Sequence, residues 1–175
     1  MNDIFETRRS EFRPPGKVCL LFVAESRPAG GTFFYNADSN LYRYTLRVFE
    51  NAFGKRWEAG DYFLSFFRDH GCYLDDLCAE PVNDLKKDEV AKRREHHEAG
   101  VGALSKRIRL YSPHVLITIK KDIAKHVRKA AQLAGFDNIP HYALPFPAMH
   151  WQSIFARQLT EILSLEPVRK CMKIS

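Results

Sequence analysis

Cysteine is scarce in this chain and unpatterned. Its four copies, Cys19, Cys72, Cys78 and Cys171, form no C-x-x-C pair, which argues against a zinc ribbon. Cys19 falls inside an apolar run, where a thiol packs as a small hydrophobe. No charged-apolar-small leader opens the chain, and no apolar stretch approaches a membrane span. The expectation is a reduced, cytoplasmic protein with no membrane partner. Neither G-x-x-x-x-G-K-[ST] nor G-x-G-x-x-G occurs, which disfavours a nucleotide-binding hydrolase. There is no internal repeat and no low-complexity tract. What remains is 175 residues, one domain's worth, with a formal charge of +6. That excess suits a polyanionic partner without proving one.

Helix and strand signals alternate along the chain. Residues 1–16 are polar, end in Pro14-Pro15-Gly16 and read as a leader. Short apolar runs predict strands at Lys17–Val23, Cys72–Leu77, Val115–Ile119 and His141–Leu144. Helical patterns fall between them: one opened by Ser39, one over Gly60–His70, one from about Asp122 to Ala134, and a last one over His150–Ser164. Gly100 and Gly102 are expected to break a charged segment, Leu85–His97, from Ala103–Tyr111. The order implies an α/β fold: a three-layer α/β/α sandwich around a mostly parallel sheet of about four strands. Residues 17–166 form that domain, and 167–175 a tail.

The most informative stretch is Val18–Phe53. A buried strand runs into a flexible loop, Ala24-Glu25-Ser26-Arg27-Pro28-Ala29-Gly30-Gly31-Thr32, then three aromatics, Phe33-Phe34-Tyr35, then the capped helix. This places a site at the carboxyl end of a parallel strand. A flat apolar ring beside it is what a nucleobase stacks on.

These motifs resemble the uracil-DNA glycosylase superfamily, nearest its mismatch-specific thymine/uracil and hypoxanthine branches. The resemblance covers Val18 to Leu165. The family's first motif, of the type G-x-[ND]-P or G-E-x-P-G, has its counterpart in Ala24-Glu25-Ser26-Arg27-Pro28. Gly31-Thr32, the aromatics and Ser39-Asn40 match the loop, stacking ring and helix opening that follow. The family's base-reading Asn or Asp ends the second strand, which here ends in Asp75-Asp76-Leu77-Cys78, with Pro81 and Asn83 beyond. The family's [HN]-P-S and intercalating loop correspond to Leu144-Pro145-Phe146-Pro147-Ala148-Met149-His150-Trp151. Two positions depart from the pattern. Ser26 stands where the family has a water-positioning Asn or Asp, and Phe146 where it has a His or Asn that stabilises the departing base.

The resemblance implies a DNA glycosylase that removes uracil, hypoxanthine or mispaired thymine in base-excision repair, with DNA as partner and no cofactor. An iron–sulfur cluster, found in some branches, is not expected from this cysteine spacing. The alternative is a binder of damaged DNA or nucleobases that has lost hydrolysis. Cleaving an N-glycosidic bond requires extruding the base, holding it, stabilising its anion and offering water. Glu25 and Asp76 are the candidate carboxylates, with Ser26 at the motif position. Strand alternation sends one of Asp75 and Asp76 inward, and Asp76 is favoured. Phe34 or Tyr35 is expected to stack on the base, with Asp76 and Phe146 completing the base site. Arg27, Lys120, Lys121, Lys125 and His150 are candidate phosphate contacts, and Met149 or Trp151 a wedge into DNA. Each has a plainer alternative: a cap or surface pair for Glu25, core packing for at least one of Phe33, Phe34 and Tyr35, solvation for Arg27 and His150, a core position for Trp151. The run Lys86-Lys87…Lys92-Arg93-Arg94 reads as a solvated helix. His96-His97 reads as exposed and a poor metal site. No metal site and a monomeric state are expected.

Overall fold

The computed structural model describes residues 4–58, 60–82, 84–85 and 89–174; Asn83 and Lys86-Lys87 lie outside these. Four strands, β1 (Leu20–Ala24), β2 (Cys72–Asp76), β3 (Val115–Ile119) and β4 (His141–Leu144), pair in parallel in the order β2-β1-β3-β4. Seven helices among the described residues flank them: α1 (Ile4–Glu11), α2 (Asn40–Phe53), α3 (Asp61–Asp69), α4 (Val90–Tyr111), α5 (Ala124–Leu133), α6 (Gln152–Ser164) and α7 (Glu166–Cys171). The architecture is the expected α/β/α sandwich. Every residue of β1, β2 and β3 is buried, because helices cover both faces of a parallel sheet.

Strand alternation assigns the layers. Phe22 of β1 meets Phe67 of α3. Leu21 is in register with Tyr73 of β2, which meets Tyr111 of α4. Adjacent strand residues therefore face α3 on one side and α4 on the other. α2 pairs with α6, and α4 pairs with α5. As expected, Ser39 caps α2, its Oγ accepting from Tyr42 N–H at 3.1 Å.

Four expectations are corrected. α4 runs unbroken through Gly100 and Gly102. Glycine in a helix interior costs about 1 kcal/mol against alanine, but at Gly100 a Cβ would lie 2.3 Å from the Leu77 carbonyl oxygen. Its absence lets α4 pass close to the exit of β2.

The polar leader is no appendage. α1 lies beside β2, with Phe12 stacked on Tyr35 and Phe5 edge-on to Phe33. The tail forms α7, with Val168 and Met172 buried. Cys171 there is disulfide-bonded to Cys19, with Cα atoms 5.8 Å apart. Cys19 thus has a covalent role rather than a plain packing one. Cys72 and Cys78 are buried free thiols. No helix among the described residues is long and apolar enough to cross a membrane.

Candidate functional site

A cavity of about 180 Å³ opens at the carboxyl ends of β1 and β2, on the α2 side of the sheet. The pleat puts it there. Ala24 and Asp76 are register partners, and Ser26 and Leu74 share their parity, so all four reach one side. Three phenyl rings, Phe33, Phe34 and Phe146, supply apolar wall. Polar groups from Ser26, Arg27, Thr32, Ser39, Asn40 and Asp76 complete it.

A tight loop aims the rings. Asp38 Oδ1 accepts from Phe33 N–H at 2.7 Å, and Ala37 takes a left-handed φ of 61° to close a single helical turn over Phe34–Asn36. Phe33 and Phe34 then border the cavity from the core, 2% and 4% exposed, and Tyr35 turns to the sheet edge. Tyr35 is fully buried; its hydroxyl donates to the Leu74 carbonyl at 2.9 Å and accepts from Leu74 N–H at 2.8 Å. It satisfies the open side of edge strand β2, so the expectation that Tyr35 stacks on a base is corrected. Phe34 and Phe146 stand at the wall as expected.

The polar groups are partly committed. Ser26 Oγ accepts from Val82 N–H at 3.2 Å, which leaves its hydroxyl proton to donate. Asn40 Oδ1 accepts from Arg43 at 2.9 Å, which leaves its amide N–H groups. Arg27 stacks over Phe5, 4.6 Å from the ring centroid. Asp76 Oδ2 is ion-paired with Arg9 Nη2, while Arg9 Nη1 holds Asp75 Oδ1 at 2.6 Å. Arg107 holds Asp75 Oδ2 at 2.7 Å and the Asp76 carbonyl at 2.6 Å. Burial pushes the Asp76 carboxyl up, against the pull of Arg9. Burial likewise opposes the Arg9 charge, but Asp76 and Asp75 outweigh it and raise its pKa.

Glu25 is not in this cavity. As the residue between Ala24 and Ser26 it projects to the α4 side. There it accepts from Arg93 Nε at 2.8 Å and Nη2 at 2.7 Å, from Lys120 Nζ at 2.6 Å, and pairs with His97 Nε2 at 2.8 Å. Burial would raise its pKa, yet these partners hold it at about 2. The pairing of Glu25 and Asp76 in one pocket is therefore corrected, as is the free phosphate role of Lys120. Lys120 adopts φ 82°, an uncommon backbone for lysine, just where it meets Glu25. His97 is buried rather than exposed, and Arg93 turns inward from the run expected to be solvated.

The other candidates lie at the surface after β3 and β4. Lys121 and Lys125 are exposed. After β4, Phe146, Met149 and Trp151 are 40%, 83% and 42% exposed, so Trp151 is a surface ring and not a core one. His150 is exposed, 4.8 Å from the Trp151 ring.

Several site residues escape a reading of local sequence. Arg9 and Arg107 reach Asp75 and Asp76 across 66, 67, 32 and 31 residues, and nothing local marks them. Arg93 and His97 had a usable signal: four apart on a helix, they share one face. Among the described residues, no group of three or more His, Cys, Asp or Glu side chains could hold a metal ion. No protein-family model matches this chain, and no curated protein matches it.

Proposed function

We propose that this chain is a DNA glycosylase-like protein that extrudes a deaminated or mismatched base and holds it in the cavity beside Phe33, Phe34 and Phe146. The observation that carries this reading is the wall itself: apolar rings around one carboxylate, one amide, one guanidinium and the hydroxyls of Ser26, Thr32 and Ser39, beside the carboxyl ends of β1 and β2. Rings stack on any base, and the few polar groups fix its orientation. The wedge is Met149 with Trp151, beside the cavity mouth at Phe146. Lys121 and Lys125 take phosphates. Hydrolysis would rest on Asp76 and Ser26, since Glu25 faces away.

A second reading, base or lesion binding without hydrolysis, is favoured by one observation: Asp76, the one carboxylate at the cavity wall among the described residues, is ion-paired with Arg9. Such an acid is a poor base toward water. Titration into labelled duplexes with and without a G·U mismatch, at two salt concentrations, tests what the two readings share. Tighter, salt-sensitive binding to the mismatched duplex is expected. Lys121→Ala should lower the salt slope by about one unit and leave the preference for the mismatch intact. Phe34→Ala should remove about 1–3 kcal/mol of that preference. No binding at low salt would rule out both readings.

A further inference from the structure

Arg9 is 5% exposed, comes from the helix read in sequence as a leader, and is spent on two aspartates at the end of β2. The geometry is directional. Arg9 takes Asp76 Oδ2, and Arg9 and Arg107 between them take both oxygens of Asp75. Asp76 N–H also donates to Asp75 Oδ1 at 2.7 Å. Among the described residues, Asp76 Oδ1 alone of these four oxygens has no hydrogen-bond donor. Arg9 lines a separate cavity of about 200 Å³ behind Asp76 and not the base cavity, whereas Asp76 lines both. Oδ2 is thus held by a residue of the second cavity, and Oδ1 is the oxygen with no protein donor among the described residues.

We propose that Arg9 is a positioning residue for the base cavity, pinning Asp76 as an anionic, acceptor-only group whose free oxygen takes an N–H from the bound base. This rests on the base-binding reading above. It narrows the ligand to bases with an N–H at the edge they present there, such as the imino N–H of uracil or hypoxanthine, and excludes their N-methylated forms. An amide at this position would offer a donor as well; a carboxylate held by arginine offers none. Arginine suits the task because its fork serves two carboxylates at once.

The test is a pH profile. The groups facing Asp76 are Glu6 and Arg9 of α1, Arg27 after β1, Asp75 beside it, Cys78 and Glu80 after β2, and Arg107 of α4. No histidine is among them, and burial pushes the Cys78 thiol up to about 11. Arg9 holds Asp75 as well as Asp76, so the double variant Arg9→Met with Asp76→Asn is what assigns a pH dependence to Asp76. The readout is the ratio of affinities for duplexes with a G·U and a matched G·C pair, which cancels effects on phosphate contacts.

In the unaltered protein the ratio should be flat with pH and lost when uracil is replaced by N3-methyluracil. Without Arg9, burial carries Asp76 further up, and protonation turns an acceptor-only anion into a neutral carboxyl that also donates and accepts an N–H more weakly. Arg9→Met should then lower the ratio about tenfold at pH 6 relative to pH 8, and Arg9→Lys should restore a flat profile. Arg9→Met with Asp76→Asn leaves no carboxylate at position 76, while Asp75 keeps Arg107; compared at a temperature where circular dichroism shows it folded, its profile should be flat. A flat profile in Arg9→Met, or a pH dependence that survives in the double variant, overturns the proposal and leaves base binding standing. Equal affinity of the unaltered protein for both duplexes overturns base binding as well.

Discussion

Glu25→Gln should weaken the fold by about 3 kcal/mol and leave the preference for a mismatched duplex unchanged. The carboxylate lies on the α4 side of the sheet, where it is the shared partner of Arg93, Lys120 and His97. Removing one partner of a buried ion pair costs about 3–5 kcal/mol. The low end applies because Arg93 and Lys120 are 31% and 28% exposed and retain some water. The sign with pH follows from the depressed pKa. Glu25 contributes stability above its ordinary value of 4.5, and that contribution is lost as pH falls toward about 2. Denaturant midpoints at pH 7 and at pH 3 check both points. The variant should show a lower midpoint at pH 7 and a smaller further loss in acid than the unaltered protein. An unchanged midpoint with lost mismatch binding would place Glu25 in the chemistry instead.

The second large effect concerns base release. If the cavity hydrolyses the N-glycosidic bond, Asp76→Asn should slow release about a hundredfold or more under single-turnover conditions with protein in excess. An amide keeps an oxygen for Arg9 but cannot offset positive charge on the sugar. Glu25→Gln, assayed at a temperature where it is folded, should keep its rate. Release of uracil, hypoxanthine or mispaired thymine at equal rates in Asp76→Asn would remove Asp76 from the chemistry. No release by the unaltered protein would select the non-hydrolysing reading.

The frame of this fold was legible because its signals are local. Four short apolar runs became four strands, and Ser39 capped the helix it was expected to cap. Strand parity also separated Asp76 from Asp75 correctly. The same rule, applied one strand earlier to Glu25 and Ser26 after β1, would have sent Glu25 away from the cavity. The misreading arose from weighing residue type before direction. Tyr35 went astray for a related reason: an aromatic next to a loop reads as a platform, yet an edge strand needed its hydroxyl. Gly100 read as a helix breaker because its reason, the Leu77 carbonyl, lies elsewhere in the chain. Arg9 was the least legible, since no short-range pattern announces a partner on a distant strand.

The most direct test of base capture is photocrosslinking. A duplex carrying 5-iodouracil opposite guanine, irradiated in complex with the protein and mapped by mass spectrometry, reports which side chains touch the base. The cavity reading predicts crosslinks at Phe33, Phe34 or Phe146, reduced when Phe34 is replaced by alanine. Crosslinks confined to other surfaces, or equal yields when the iodinated base is placed in a matched duplex opposite adenine, would contradict it.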